Sequence, residues 1–302
     1  MKSMKNAVSL FFATLIILLG VAGNSFGQLE NTIEQLNGDN TKGYLQPFVN
    51  SFGHNLNSGL YRTAHVSTIG LHLYVGLVGM ATFIPEEDKT YMGTPPLPYS
   101  QDPVETATVF GGEGAVVPGT GGLKYKFQNG QLQGDLVPFA VPQIEVGSIL
   151  GTMVKIRYFS GKIPGDTDEN VGKITLTGYG IQHSLSQYIP LFPISVSAGF
   201  FYQTFDVGDF ISTKAVSFGF QVSKSIPMLT VYGAAAWEST KMDVSYTFEG
   251  GGIQENIGLA LETGTMFRLT IGARLRLGFI ILNGDYSLGN QNTATVGIGL
   301  GI

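Results

Sequence analysis

The chain has no cysteine, which excludes a disulfide scaffold, a thiolate metal centre and a lipid-modified N-terminal cysteine. Charge is also scarce. Asp, Glu, Lys and Arg make up 13% of the residues, about half the ~25% of an ordinary soluble domain. What charge there is leans acidic, −5 at pH 7, and so excludes a basic nucleic-acid binder. Past residue 22 no apolar run reaches the ~20 residues of a membrane-spanning helix. In place of these the chain holds 42 glycines, 20 phenylalanines and 13 tyrosines in 302 residues. Glycine stands at about twice its usual ~7% share, and this aromatic content can bury enough surface to exclude disorder.

The first residues have the form of an export signal. Lys2 and Lys5 make a positive start, Ala7 to Ala22 is an apolar run, and Ser25-Phe26-Gly27 supplies small residues at the −3 and −1 positions before Gln28. Cleavage after Gly27 is therefore expected, and losing the two lysines takes the mature charge to −7. The organisation this implies is a signal peptide over 1–27, an N-terminal plug or periplasmic segment over 28–63, and a barrel over 64–302.

The rest of the chain is dominated by period-two alternation. Phe267, Leu269, Ile271, Ala273, Leu275 and Leu277 share one face of a strand, while Arg268, Thr270, Gly272, Arg274 and Arg276 share the other. Val216, Phe218, Phe220 and Val222 oppose Ser217, Gly219, Gln221 and Ser223 in the same way. In the last segment Ala294, Val296, Ile298, Leu300 and Ile302 oppose Thr295, Gly297, Gly299 and Gly301. A soluble sandwich also alternates. The export signal, segments of the ~9–11 residues that a tilted strand needs to cross a bilayer, and a polar face rich in Gly, Ser, Thr and Arg favour an all-β transmembrane antiparallel barrel. Only a closed barrel pairs every strand in lipid.

Candidate strands are His65–Ile84, Val104–Gly111, Leu123–Gln128, Gln131–Val141, Glu145–Phe159, Val171–Ser184, Ile194–Phe205, Ser212–Lys224, Met228–Phe248, Ile257–Leu275, Gly278–Leu288 and Asn292–Ile302. They give about twelve strands within a range of roughly ten to fourteen, and ten if the weakly patterned Val104–Gly111 and Leu123–Gln128 are lost. Asn129-Gly130 is the strongest hairpin signal. Met228–Phe248 changes parity between Trp237 and Met242, as one long strand with a bulge or two short ones would. With both barrel ends in the periplasm, Ser225–Pro227, Leu275–Gly278 and Ser186–Pro193 fall as inner turns, and the proline-rich Glu86–Pro103 falls outside.

Ahead of the first strand, Leu45, Phe48, Phe52 and Leu56 recur at three- and four-residue steps, with Pro47 acceptable in a first helical turn. They predict a short amphipathic helix, either a periplasmic lid or a plug in the barrel mouth. Charges on lipid-facing positions would cost about 2–4 kcal/mol each, so Lys155, Arg157, Arg268, Arg274, Arg276 and Asp285 are expected to face the lumen. There they serve as a salt-bridged filling, or as a polar track or anion-attracting mouth.

Nothing in the chain has the pattern of an enzyme, and no cofactor is expected. His183 and Ser184 are neighbours on opposite faces of a strand, not a nucleophile and its base. Asp166–Asn170 begins like a calcium loop, but Val171 and Thr177 stand where Gly and the bidentate Glu are required. Glycine-rich Gly111–Gly122 lacks the strand-then-helix setting of a phosphate loop.

The segments GYLQPFVNSFGHNLNSGLY, PQIEVGSILGTMVKIRYFSG, YGIQHSLSQYIPLFPISVSAG, LTVYGAAAWESTKMDVSYTF and the ending DYSLGNQNTATVGIGLGI resemble a family of uncharacterised bacterial outer-membrane β-barrel proteins. More distantly, the hatch-like start and the closing strands are similar to the long-chain fatty-acid transporter family. That resemblance implies an N-terminal hatch inside a barrel and passage or binding of small hydrophobic molecules. The chain is shorter than those transporters and ends in Ile302 where such barrels usually end in an aromatic. The partners expected are outer-membrane lipid and a small hydrophobic ligand, with a non-transporting structural or anchoring barrel as the alternative. The mature protein is predicted to fractionate with outer membranes, to begin near Gln28, and to migrate faster on gels unheated than boiled. Recovery as a soluble, folded periplasmic protein would contradict the barrel.

Overall fold

The structure, a computed structural model, describes residues 38–132, 134–162, 173–189, 193–208, 210–250 and 253–302. The leader Met1–Gly27 and the acidic segment Asp166–Asn170 lie outside the described residues. Helix α1 spans Gly38–Leu56 and is followed by strands β1 (His72–Phe83), β2 (Thr90–Gly93), β3 (Val104–Ala107), β4 (Val116–Pro118) and β5 (Lys124–Lys126). Then come β6 (Leu136–Ile149), β7 (Thr152–Lys162), β8 (Lys173–Ser184), β9 (Ser195–Val207) and β10 (Ile211–Ser225). The chain ends with β11 (Leu229–Gly250), β12 (Ile253–Glu262), β13 (Met266–Leu277), β14 (Ile280–Leu288) and β15 (Thr293–Gly301).

Ten of these strands close into a ring. The ladder runs β10-β9-β8-β7-β6-β1-β15-β14-β13-β11 and returns by pairing β11 with β10. Neighbours are antiparallel throughout, so no ring edge is left to satisfy. Strand β12 pairs with the last ten residues of β11, Lys241–Gly250, as a hairpin standing above the ring. At one end, the turn end, the connections include the two-residue Leu150-Gly151 and Gly278-Phe279, and at the other, the loop end, lies the longest connection, which joins β1 to β6.

The outer surface is apolar and its height is bounded. On β10 the outward residues run Lys214, Val216, Phe218, Phe220, Val222, Lys224. At ~3.3 Å per residue and a tilt of ~40°, the two lysines stand about 25 Å apart along the barrel axis, the height of the apolar band of a membrane barrel. Phe218, Trp237 and Phe267 lie side by side on three successive strands, with ring centroids 6.5 and 5.6 Å apart. Tyr179 and Tyr202 make a second outward pair at 5.7 Å.

Several expectations need correction. The ring has ten strands and not twelve, because Val104–Gly111 and Leu123–Gln128 contribute only the short β3 and β5, which pair with β2 and β4 in the long loop-end connection. Asn129-Gly130 joins no hairpin and Gly130 has no positive φ. The Asn129 side chain instead accepts from the Gly114 amide, and Gly130 donates to Gly112. The break expected near Pro142 is absent. Strand β6 runs through both Pro138 and Pro142 and ends in a bulge by Ile149, with Ser148 and Leu150 at positive φ. Strand β11, in contrast, has no bulge against β10, since its register is unbroken from Ile211 opposite Val244 to Ser225 opposite Thr230. Trp237 faces out and Met242 and Val244 face in, without any change of parity. Only the location of apolar contact changes, from lipid to a core at the loop end of the lumen.

That core is built on α1. The helix begins at Gly38, earlier than the pattern from Leu45 suggests, so Pro47 sits in its interior and leaves the carbonyl of Gly43 without its helical donor. Leu45, Phe48, Val49 and Phe52 are packed with Phe110, Phe205, Val207, Ile211, Met242, Val244 and Leu261.

An arginine placed at the middle of the apolar band is expected to destabilise the barrel by about 2–4 kcal/mol. Phe218→Arg should show this in equilibrium unfolding from detergent or lipid vesicles, whereas Lys214→Arg should leave the midpoint in place. Equal stability of the two variants would mean that the outer face is not a lipid face.

Candidate functional site: the strap and the charged lumen

Past Leu56 the chain leaves the helix and runs down the lumen as an extended strap, from Asn57 to Ser67. It has no strand partner, so its carbonyls must be satisfied by side chains of the wall. The wall supplies them in sequence. Arg268 Nη2 donates to His54 O at 2.9 Å, and Arg157 donates to Leu56 O at 2.8 Å and to Ser58 O at 2.6 Å. Gln203 adds a bond to Leu56 O at 2.6 Å, Lys155 Nζ donates to Leu60 O, and Gln182 donates to Thr63 O at 2.7 Å. The amide of Ala64 in turn donates to Ser223 Oγ at 2.9 Å.

The upper bonds also cap the helix. Its last turn carries the negative end of the helix dipole, and two guanidinium groups meet it there. Gly59 makes the close approach possible. Its φ is +67°, and a Cβ at that position would lie 2.4 Å from Val78 on the wall.

Lower in the lumen the strap brings its own charge. Arg62, 1% exposed, donates from Nε to Glu145 Oε1 at 3.1 Å and pairs through Nη2 with Oε2. Its guanidinium carbon lies 3.4 Å from the centroid of the Tyr74 ring. Glu145 is also 3.6 Å from Lys155 and accepts from Gln143 at 2.6 Å. A second buried pair joins Arg268 Nε to Glu238 Oε1 at 2.7 Å, with His54 Nδ1 2.6 Å from Arg268 Nη2.

Of the residues singled out in the sequence, Lys155, Arg157 and Arg268 are buried in the lumen and bound to the strap. Arg274 is half-buried and donates to Thr230 at 3.4 Å, and Asp285 accepts from the Tyr232 hydroxyl at 2.9 Å. Arg276 lies apart from them. It is exposed at the turn end and donates to Gly278 O at 3.2 Å. Leu45, Phe48, Phe52 and Leu56 are all buried, with Phe52 4.7 Å from Phe205 and 5.3 Å from Phe139 between ring centroids.

Sequence reasoning missed Arg62, Glu145, Gln143, Gln203 and Glu238. Gln143 and Glu145 alternate with Ile144 and Val146, a signal hidden by the break assumed at Pro142. Arg62 belongs to no periodic pattern.

The loop end is closed over the helix. The Val109 amide donates to Tyr44 O at 3.0 Å, the Tyr44 hydroxyl donates to Asn129 O at 2.8 Å, and Asn40 exchanges two bonds with Thr94. Gln291 donates to Pro47 O at 3.3 Å and to Asp88 Oδ2 at 2.5 Å. Burial pushes the Asp88 carboxyl above its usual range, against the opposing effect of that Gln291 bond. The cavity beside Leu60, lined by Lys155, Arg157, Phe201 and Gln203 among others, measures about 10 Å³, room for one water at most. Among the described residues no group of three or more His, Asp and Glu side chains could hold a metal ion.

Removing Glu145 would leave Arg62 and Lys155 buried without a counter-charge. Glu145→Leu is expected to cost about 3–5 kcal/mol in equilibrium unfolding. Adding Arg62→Met should recover part of that loss, and strictly additive costs would mean that the two side chains do not act as a pair.

Among solved structures, the chain is similar to the outer membrane protease OmpT of Escherichia coli, at 7% identity and a TM-score of 0.34 over 78% of this chain and 96% of that one. It is also similar to Ail, the attachment invasion locus protein of Yersinia pestis, at 10% identity and 0.24 over 77% and 98%. A third similarity is to the beta domain of the Bordetella autotransporter BrkA, at 10% and 0.28 over 76% and 98%. The barrel assignment rests on the strand pairing and not on these likenesses. No curated protein matches the chain, and similarity to the long-chain fatty-acid transporters is not shown. The family model described as a family of unknown function, DUF6588, matches residues 1–302, and the chain belongs to that family.

Proposed function

We propose that the protein is an outer-membrane barrel that stays closed, anchoring in the bilayer and presenting its loop-end structures to the outside. The observation that carries this is the fastening of the strap. Arg157, Arg268, Lys155, Gln182 and Gln203, spread over four strands of the wall, bind the carbonyls of His54, Leu56, Ser58, Leu60 and Thr63. The charge-assisted bonds from Arg157, Arg268 and Lys155 contribute about 1.5–3 kcal/mol each, and opening the lumen would break them together with the two glutamine bonds. The bounded apolar belt and the export signal support placement in the outer membrane.

Passage or binding of small hydrophobic molecules is the competing reading, supported by the apolar face of α1. That face, however, is already covered by Phe110, Phe139 and Phe205. A cargo would have to displace these contacts as well as the strap.

Purified intact protein in planar bilayers and vesicles is expected to add neither ion conductance nor entry of a fluorescent fatty acid above lipid alone. Either a steady conductance or saturable fatty-acid entry in the intact protein would overturn the closed-barrel reading.

A further inference from the structure

Charge is divided unevenly between the two ends of the barrel. Among the described residues every exposed Asp and Glu side chain stands at the loop end or on the β11–β12 hairpin above it. The exposed charged side chains of the turn end are cationic, Lys224 and Arg276. Arg276 donates from Nε to Gly278 O at 3.2 Å, which holds its guanidinium at the tip of the β13–β14 turn beside Phe279. Arg274, two residues back on the same face, lies close enough to Arg276 for the two charges to repel. Arg274 donates to Thr230 at 3.4 Å, but its buried Nε has no partner among the described residues. The carboxylates on this side are already committed. Glu145 is bound to Arg62 and Asp285 to Tyr232, and the terminal carboxyl of Ile302 lies across β14, beside Leu73.

The same rim is apolar where water would be expected. The belt on β10 ends at Lys224, yet Ile226, Met228 and Phe279 beyond it are each exposed over more than half of their surface. They form one patch with the arginine, because the Arg276 amide donates to Met228 O at 2.8 Å and so joins the start of β11 to the end of β13. The outward Leu275 and Leu277 carry the belt into this patch. Side chains of this size gathered in open water would invite association, whereas the headgroup zone of a bilayer takes cations and apolar tips together.

We propose that the rim formed by the ends of β11 and β13 binds an anionic phospholipid, with the phosphate held by Arg276 and Arg274 and the chains laid over Phe279, Met228 and Ile226. Two guanidinium forks match the oxygens of a phosphate, and the exposed tips lead the chains onto the lipid-facing wall. The site uses the two lumen-face arginines that the strap leaves aside, and it sets the depth of the barrel in the periplasmic leaflet. This inference rests on the membrane placement of the ring and not on closure of the lumen.

The test is a titration of the intact, delipidated protein in a non-ionic detergent, read by native mass spectrometry, with folding checked by gel mobility. Dioctanoyl phosphatidylglycerol carries phosphate and chains, dioctanoylglycerol the chains alone, and inorganic phosphate the anion alone. The expected result is saturable binding of the phosphatidylglycerol, at least about tenfold tighter than either other probe. Arg276→Gln and Phe279→Ser should each weaken it by about tenfold, and Lys241→Gln at the loop end should leave it unchanged. Inorganic phosphate binding as tightly as the lipid, with Phe279→Ser silent, would make the rim a free-anion site and overturn the proposal. Displacement of the lipid by an equal concentration of oligoglutamate would assign the rim to an acidic protein segment and overturn it as well. Equal lipid binding by the unaltered protein and by the double variant Arg274→Gln, Arg276→Gln would remove the cations from the site. Each of these failures is read on a barrel that still shifts on gels and fractionates with outer membranes, and so is distinct from failure of the membrane placement itself.

Discussion

An extended chain inside a barrel has carbonyls that no strand can satisfy, and the rest of this structure depends on how that need is met. The wall answers with side chains of fixed charge, Arg157, Arg268 and Lys155, and with the amides of Gln182 and Gln203. These cations would be costly in a dry lumen if they had nothing to bind. Each side of the arrangement therefore requires the other. The strap needs donors, and the donors need the strap.

The same requirement divides the lumen into two zones. At the loop end, α1 satisfies its own backbone and can present an apolar face, so the wall around it turns apolar inward, with Phe205, Val207, Ile211, Met242 and Val244. Below Leu56 the helix ends, the backbone needs partners, and the inward residues become Gln143, Glu145, Lys155, Arg157 and Gln203. The change from apolar to polar filling follows the change from helix to extended chain. A closed barrel is the consequence of both zones being filled.

The ring itself was legible wherever one face met lipid and the other met polar filling. Strands β10, β13 and β15 alternate cleanly for that reason. Where the filling is apolar the alternation fails as a guide, and this is why β11 read as changing parity between Trp237 and Met242. Pro142 read as a break because it cannot donate to a ladder, yet it sits paired opposite Leu77 within a continuous strand. Asn129-Gly130 has the composition of a tight hairpin, but its groups are used to bind Gly114, Gly112 and Tyr44 over the top of the helix. The lumenal positions of Lys155, Arg157 and Arg268 followed from the cost of charge in lipid. Their shared target, the strap, could not be read, because Asn57 to Ser67 has no periodicity and its partners lie scores of residues away in sequence.

The central claim is that α1 and the strap are as much a part of the folded barrel as its strands. Hydrogen–deuterium exchange on the intact protein in detergent or lipid tests it directly through the amides of Val49 to Ala64. The account predicts that they exchange as slowly as those of β1 and β6, since opening them requires breaking the wall bonds and the apolar core together. Exchange of these amides at the rate of exposed connections, while the wall strands remain protected, would contradict it.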